Sequence, residues 1–142
     1  AGHEALLADL GVTREAIARF AAGDEKYAVM GRSELLELRA AGWRVGSHTL
    51  THRTLGMLAE TDVRAEVLGS KRGLETLLGG QDEVFAYPYG EPVHVGTTAP
   101  RICREAGYRR AYTTTPGAIA ADADPFLLPR LDYKEFVKEG LS

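Results

Sequence analysis

Gly42-Trp43-Arg44-Val45-Gly46-Ser47-His48-Thr49-Leu50-Thr51-His52 sends a short apolar run straight into two histidines four residues apart. A helical pattern precedes it: Ser33 is the expected N-cap, Glu34 and Glu37 fill the first turn, and Leu35, Leu36 and Leu38 share a face that ends at Ala41-Gly42. A helix, a tight glycine connection and a strand over residues 43–47 make the αβ half of a βαβ unit. Functional residues of such units gather at the carboxyl ends of the strands, where His48 and His52 stand. Imidazole is the commonest protein ligand for zinc and related metals, and two this close can reach one ion if the chain curls after the strand. The same spacing also suits ordinary polar loop residues. The pattern H-E-x-x-H is excluded, because Thr49 stands where that motif places its glutamate.

Downstream, Leu55, Met57 and Leu58 are expected to pack over the loop, and Thr61 to cap a long helix over residues 62–78. Its charges Arg64, Glu66, Lys71, Arg72 and Glu75 read as a solvated outer face. A second strand, 84–87, ends in the turn Pro88-Tyr89-Gly90, and a loop over 90–98 leads to a helix around 99–106. A third strand spans 108–113, a loop of small residues 114–124, and a fourth extended segment 127–131 carries Pro129 at an edge or bulge. Helices over 4–10 and 14–22 open the chain and a helical turn near 134–138 closes it. No internal repeat or linker divides it, so residues 1–142 are expected to form one α/β domain.

Composition excludes several classes. With 17 basic and 20 acidic residues the net charge is -3, and no basic run with interleaved aromatics supports nucleic-acid binding. No apolar stretch approaches a membrane span, and the start of the chain has no basic-then-apolar signal-peptide pattern. Cys103 is the single cysteine, so an intrachain disulfide and a cysteine-rich metal site are both impossible; it reads as a small buried residue on a helix. His3 reads as a solvated residue near the start of the chain.

In order, GWRVGSHTLTH (42–52), AEVLGSKRGLETLLG (65–79), FAYPYG (85–90), REAGYRRAYTTTPG (104–117) and LLPRL (127–131) resemble the bacterial polysaccharide deacetylases, family 4 of the carbohydrate esterases. The resemblance spans about residues 31 to 132, and the ordered set is far more specific than any one piece. It implies an irregular (β/α) barrel and a metal-dependent hydrolase that removes acetyl groups from an N-acetylated glycan. The family's H-[ST]-x-x-H motif falls on His48, Thr49 and His52, which makes the two histidines ligands of zinc, or of another divalent ion such as cobalt or nickel. The family's R-x-P-[YF]-G motif falls on the FAYPYG stretch, which makes the amide of Tyr89 an oxyanion donor. Tyr87, Pro88 and Tyr89 are then candidate substrate contacts, with aromatic packing the alternative for the tyrosine rings. The family's usual setting is the cell envelope or outside the cell.

Departures from the family pattern are equally specific. Ala86 occupies the motif's arginine position, although a subset of the family carries this YPYG form. The T-F-D-D-G motif that supplies the third ligand and the base is absent, no Asp-Asp pair occurs anywhere, and Asp9 and Asp24 alone precede His48. Leu128-Pro129-Arg130 replaces the late L-x-H histidine that serves as general acid. His94, on the loop after the YPYG turn, is a candidate replacement acid, with a solvated loop histidine as the alternative. Arg130 is a candidate anion contact or a structural ion-pair partner. About four strands are too few to close a barrel, so a partial barrel is expected, with the first strand and its aspartates upstream of Ala1. A catalytically inactive carbohydrate-binding module and a structural metal site in a domain of unrelated purpose are the competing readings. The glycan and the oligomeric state are left open.

Overall fold

The computed structural model describes residues 29–80 and 83–131. The helices expected over 4–10, 14–22 and 134–138, and with them His3, Asp9 and Asp24, lie outside these residues. Helix α1 (Arg32–Ala40) is followed by the histidine loop, a 3₁₀ turn (Leu55–Met57) and helix α2 (Glu60–Leu78). Strand β1 (Val84–Ala86), a short helix α3 (Pro92–Val95), helix α4 (Thr98–Glu105) and strand β2 (Arg110–Tyr112) complete the set.

β1 and β2 pair in parallel, with Phe85 opposite Ala111. Single parallel bridges extend this sheet on both sides, Ser47 to Phe85 and Tyr112 to Leu128. The four extended segments expected from sequence therefore lie side by side in chain order, and among the described residues the outer two each join their neighbour through one bridged residue. Local bonding also engages both outer segments. The amide of Trp43 still bonds the helix end at Leu38 O (2.9 Å). At the other edge the amide of Leu127 closes a turn on Asp124 O (3.0 Å), and Pro129 has no N–H to offer the ladder.

Helix α2 buries Val63, Glu66, Val67, Ser70 and Leu78, residues spaced to share one face. It ends at Gly79, whose left-handed backbone (φ 68°) returns its N–H to Glu75 O at 2.9 Å. Both expected N-caps are displaced. Ala59 caps α2 and Gly31 caps α1, each without a side-chain bond. Thr61 and Ser33 thus already lie inside the first turn, and the Ser33 hydroxyl donates to Glu34 instead.

The expected outer charged face of α2 is only partly such a face. Arg72 and Glu75 are exposed, but Lys71 turns inward to donate to Ala106 O (2.7 Å) and lies over the Tyr108 ring. Arg64 and Arg101 each bond both Glu60 and Glu105, joining α2 to α4. Hydrogen bonds from Arg101 and then Arg64 hold the Glu60 carboxyl below the usual carboxylate range. Glu66 is buried, contrary to expectation.

The core lies between α2, α4 and the sheet, around Val63, Val67, Phe85, Ile102 and Tyr108. Cys103 sits in it on α4, as its sequence context suggests, and burial pushes its thiol up to about 12. Leu55 joins the core and Leu58 packs against it, whereas Met57 is exposed.

Gly56 and Gly96 bring the 3₁₀ turn against α3. A Cβ on Gly56 would stand 2.2 Å from Val93 O, and one on Gly96 2.8 Å from the Gly56 Cα. Backbone on both sides leaves little room to give. Gly56→Ala is therefore expected to cost about 1–3 kcal/mol in urea unfolding, the range for overpacking. For Cys103, the expectation is no reaction with a thiol reagent at pH 8 in the folded protein and prompt reaction once denatured.

Candidate functional site

The site is built on the ends of the first two extended segments. Ser47 is locked to β1 by its amide to Val84 O (3.0 Å) and by its carbonyl from the Ala86 amide (2.9 Å). His48 therefore emerges beside the end of β1, and its Nδ1 lies 2.8 Å from Ala86 O. A carbonyl only accepts, so Nδ1 carries the proton and the Nε2 lone pair is left for another partner. A histidine bonded to a backbone carbonyl in this way is the usual support of a metal-ligating imidazole.

After His48 the chain curls through two left-handed, non-glycine residues, Thr49 (φ 67°) and His52 (φ 60°). Such backbone is costly and persists where its surroundings enforce it. Here the Thr49 hydroxyl accepts the His52 amide (2.9 Å), and the residues between are held by Glu66. Glu66 Oε2 accepts the amides of Leu50 (3.0 Å) and Thr51 (2.8 Å), and Oε1 accepts the Thr51 hydroxyl. The curl sets the two imidazole rings 4.8 Å apart, edge to face.

A row of rings continues from there. His52 lies 5.2 Å from the Tyr89 ring, and Tyr89 lies 5.4 Å from His94. Tyr89 is the third left-handed, non-glycine residue (φ 62°) and is 54% exposed. Its carbonyl accepts the Thr114 hydroxyl (2.7 Å), while its amide enters no hydrogen bond among the described residues. Nδ1 of His94 is buried and unbonded among the described residues, 3.5 Å from Glu91 Oε2.

Four of the sequence candidates thus come together: His48, His52, Tyr89 and His94. Three do not. Tyr87 is 1% exposed and donates its hydroxyl to Phe126 O (2.8 Å), and burial raises its pKa. Pro88 is fully buried beside it in sequence, so both belong to the core rather than to a substrate surface. Arg130 is exposed; its amide donates to Thr115 O (3.0 Å), and its side chain enters no hydrogen bond or ion pair among the described residues. No group of three His, Cys, Asp or Glu side chains suited to a metal ion occurs among the described residues. His48 and His52 fit as an imidazole pair, without a carboxylate from this set.

Glu66 is the residue that sequence reasoning missed. The available signal was an acid on the same helical face as Val63, Val67 and Ser70.

The polysaccharide deacetylase family model matches residues 12–111. The chain belongs to the polysaccharide deacetylase family. A relative in Bacillus subtilis (strain 168), YxkH, also bears that family's name and is 26% identical over 98 residues, covering 69% of this chain and 34% of its own length. Among solved structures, the polysaccharide deacetylase BC0361 from Bacillus cereus superposes with a TM-score of 0.64 at 28% identity, over 74% of this chain and 33% of that one. The Streptococcus pyogenes deacetylase PplD, solved in complex with acetate, gives a TM-score of 0.69 at 23% identity, over 79% of this chain and 47% of that one, a likeness of fold. The chain therefore spans between a third and a half of the length of these relatives.

The left-handed turn at Tyr89 should not depend on the ring for its stability. Tyr89→Gly removes both the left-handed strain and the ring, while raising the entropy of the unfolded chain. Its unfolding free energy is expected to stay within about 1 kcal/mol of the parent, measured in urea.

Proposed function

We propose that this protein is a metal-dependent hydrolase that removes acetyl groups from an N-acetylated polysaccharide. Family membership supports the reaction class. The observation that carries the site is the His48 Nδ1 to Ala86 O bond, which leaves Nε2 for another partner while the His52 ring centroid lies 4.8 Å from that of His48. His48 and His52 would hold zinc, or cobalt or nickel, with a carboxylate from outside the described residues. Such an ion, when bound, activates water and polarises the acetyl carbonyl.

The chain's own residues would do the rest. The free amide of Tyr89 is offered to the oxyanion that develops on the carbonyl oxygen. His94, 5.4 Å from the Tyr89 ring, would deliver the proton that the departing amine needs, with Glu91 beside its Nδ1. Next to α3 a cleft of about 560 Å³ is lined by Thr97, Thr113 and Thr115 with Pro92, Val95 and Pro129, a mix of hydroxyls and apolar faces that suits a sugar ring. The extended segments are read as part of the wall of a (β/α) barrel. A glycan substrate would place the protein at the cell envelope or outside the cell. No helix among the described residues is long and apolar enough to cross a membrane.

The test is zinc titration and acetate release from chito-oligosaccharides, using the full-length protein. Zinc-dependent release is expected, and His48→Ala or His52→Ala should weaken zinc binding by more than about 100-fold. Unchanged zinc binding in both variants would remove the metal assignment. Saccharide binding without any acetate release would instead identify an inactive binding module.

A further inference from the structure

Glu66 lies on α2, 5% exposed, with no cation bonded to it among the described residues. A buried carboxylate needs hydrogen-bond donors to offset its lost hydration. Its donors all come from one place, the two residues between Thr49 and His52: the amides of Leu50 and Thr51 and the Thr51 hydroxyl. These two residues are flanked on both sides by left-handed backbone. Charge-assisted bonds to adjacent amides are among the stronger ones a protein makes, and here they act on the segment whose backbone is least favourable.

We infer that Glu66 is the positioning residue of the histidine pair: its carboxylate holds the strained loop so that His48 and His52 reach one ion. The inference rests on the metal reading above. Removing the carboxylate leaves the amides of Leu50 and Thr51 without their acceptor, and the loop can relax toward ordinary backbone angles. His48 stays tied to Ala86 O, whereas His52, beyond the loop, is the ring released. A glutamine at 66 can reproduce the set, its carbonyl accepting both amides and its NH₂ donating to the Thr51 hydroxyl oxygen.

The experiment measures Co²⁺ affinity and the visible spectrum of the bound ion in the full-length protein and its variants. Glu66→Ala should weaken Co²⁺ about 10- to 100-fold, the usual effect of losing a group that supports a ligand, and should alter the spectrum. Glu66→Gln should restore most of the affinity. Ile102→Val, a core change away from the loop, should lower the thermal midpoint and leave Co²⁺ affinity unchanged. Affinity and spectrum unchanged in Glu66→Ala, with both lost in His48→Ala, would overturn the inference while sparing the metal reading. Unchanged Co²⁺ binding in His48→Ala and His52→Ala would overturn both. If Glu66→Ala does not fold, Glu66→Asp, one methylene too short to span the same donors, is read by the same two outcomes.

Discussion

The site depends on two hydrogen bonds that fasten Ser47 to β1, the amide to Val84 O and the carbonyl from the Ala86 amide. They fix the chain in parallel register with Phe85, and everything that follows is measured from that point. His48, the next residue, has the Ala86 carbonyl as its neighbour, and Tyr89 leaves the same strand three residues beyond Ala86. Beneath the bridge, Tyr108 donates its hydroxyl to Ser47 Oγ (2.7 Å), so the polar side chain that starts the loop is satisfied within the core. Burial raises the Tyr108 pKa, which keeps the hydroxyl protonated as a donor.

Strain is concentrated where chemistry is expected. Thr49, His52 and Tyr89 are the only non-glycine residues with positive φ among those described, and all three belong to the ring row or the loop that builds it. Each is worth about 1–3 kcal/mol against the fold, so the local bonds must over-determine the shape. They do so in different ways: a hydroxyl cap from Thr49 to the His52 amide, a buried carboxylate across Leu50 and Thr51, and a hydroxyl from Thr114 onto the Tyr89 carbonyl. Packing adds a further limit. Gly56 and Gly96 allow the turn after the histidine loop to touch α3, which carries His94, so two halves of the site share one close backbone contact.

Much of this was legible in the sequence because it follows from local rules. The order of helices and extended segments, the placement of His48 and His52 at a strand end and the burial of Cys103 came from periodicity, turn residues and residue type. What failed depended on partners distant in the chain. Helix starts shifted because neither Ser33 nor Thr61 caps a helix, and nothing local distinguishes a serine at the cap from one a turn inside. Glu66 looked like any helical acid, since its donors sit 15 and 16 residues away, and Lys71 looked solvated until Ala106, 35 residues on, took its ammonium.

The two tyrosines of Tyr87-Pro88-Tyr89 show the same limit within three residues. Along β1 and the residue after it the side chains alternate, so Phe85 and Tyr87 point to one face and meet edge to face, 5.3 Å between ring centres, in the core. Continued alternation would put Tyr89 on that face too. Pro88 withholds the N–H that would extend the ladder, and the left-handed backbone at Tyr89 turns its ring out of the sheet toward His52. One tyrosine consequently serves as core and the other as the bridge between two histidines. Residue type is identical at both positions, and only the backbone turn between them assigns the roles.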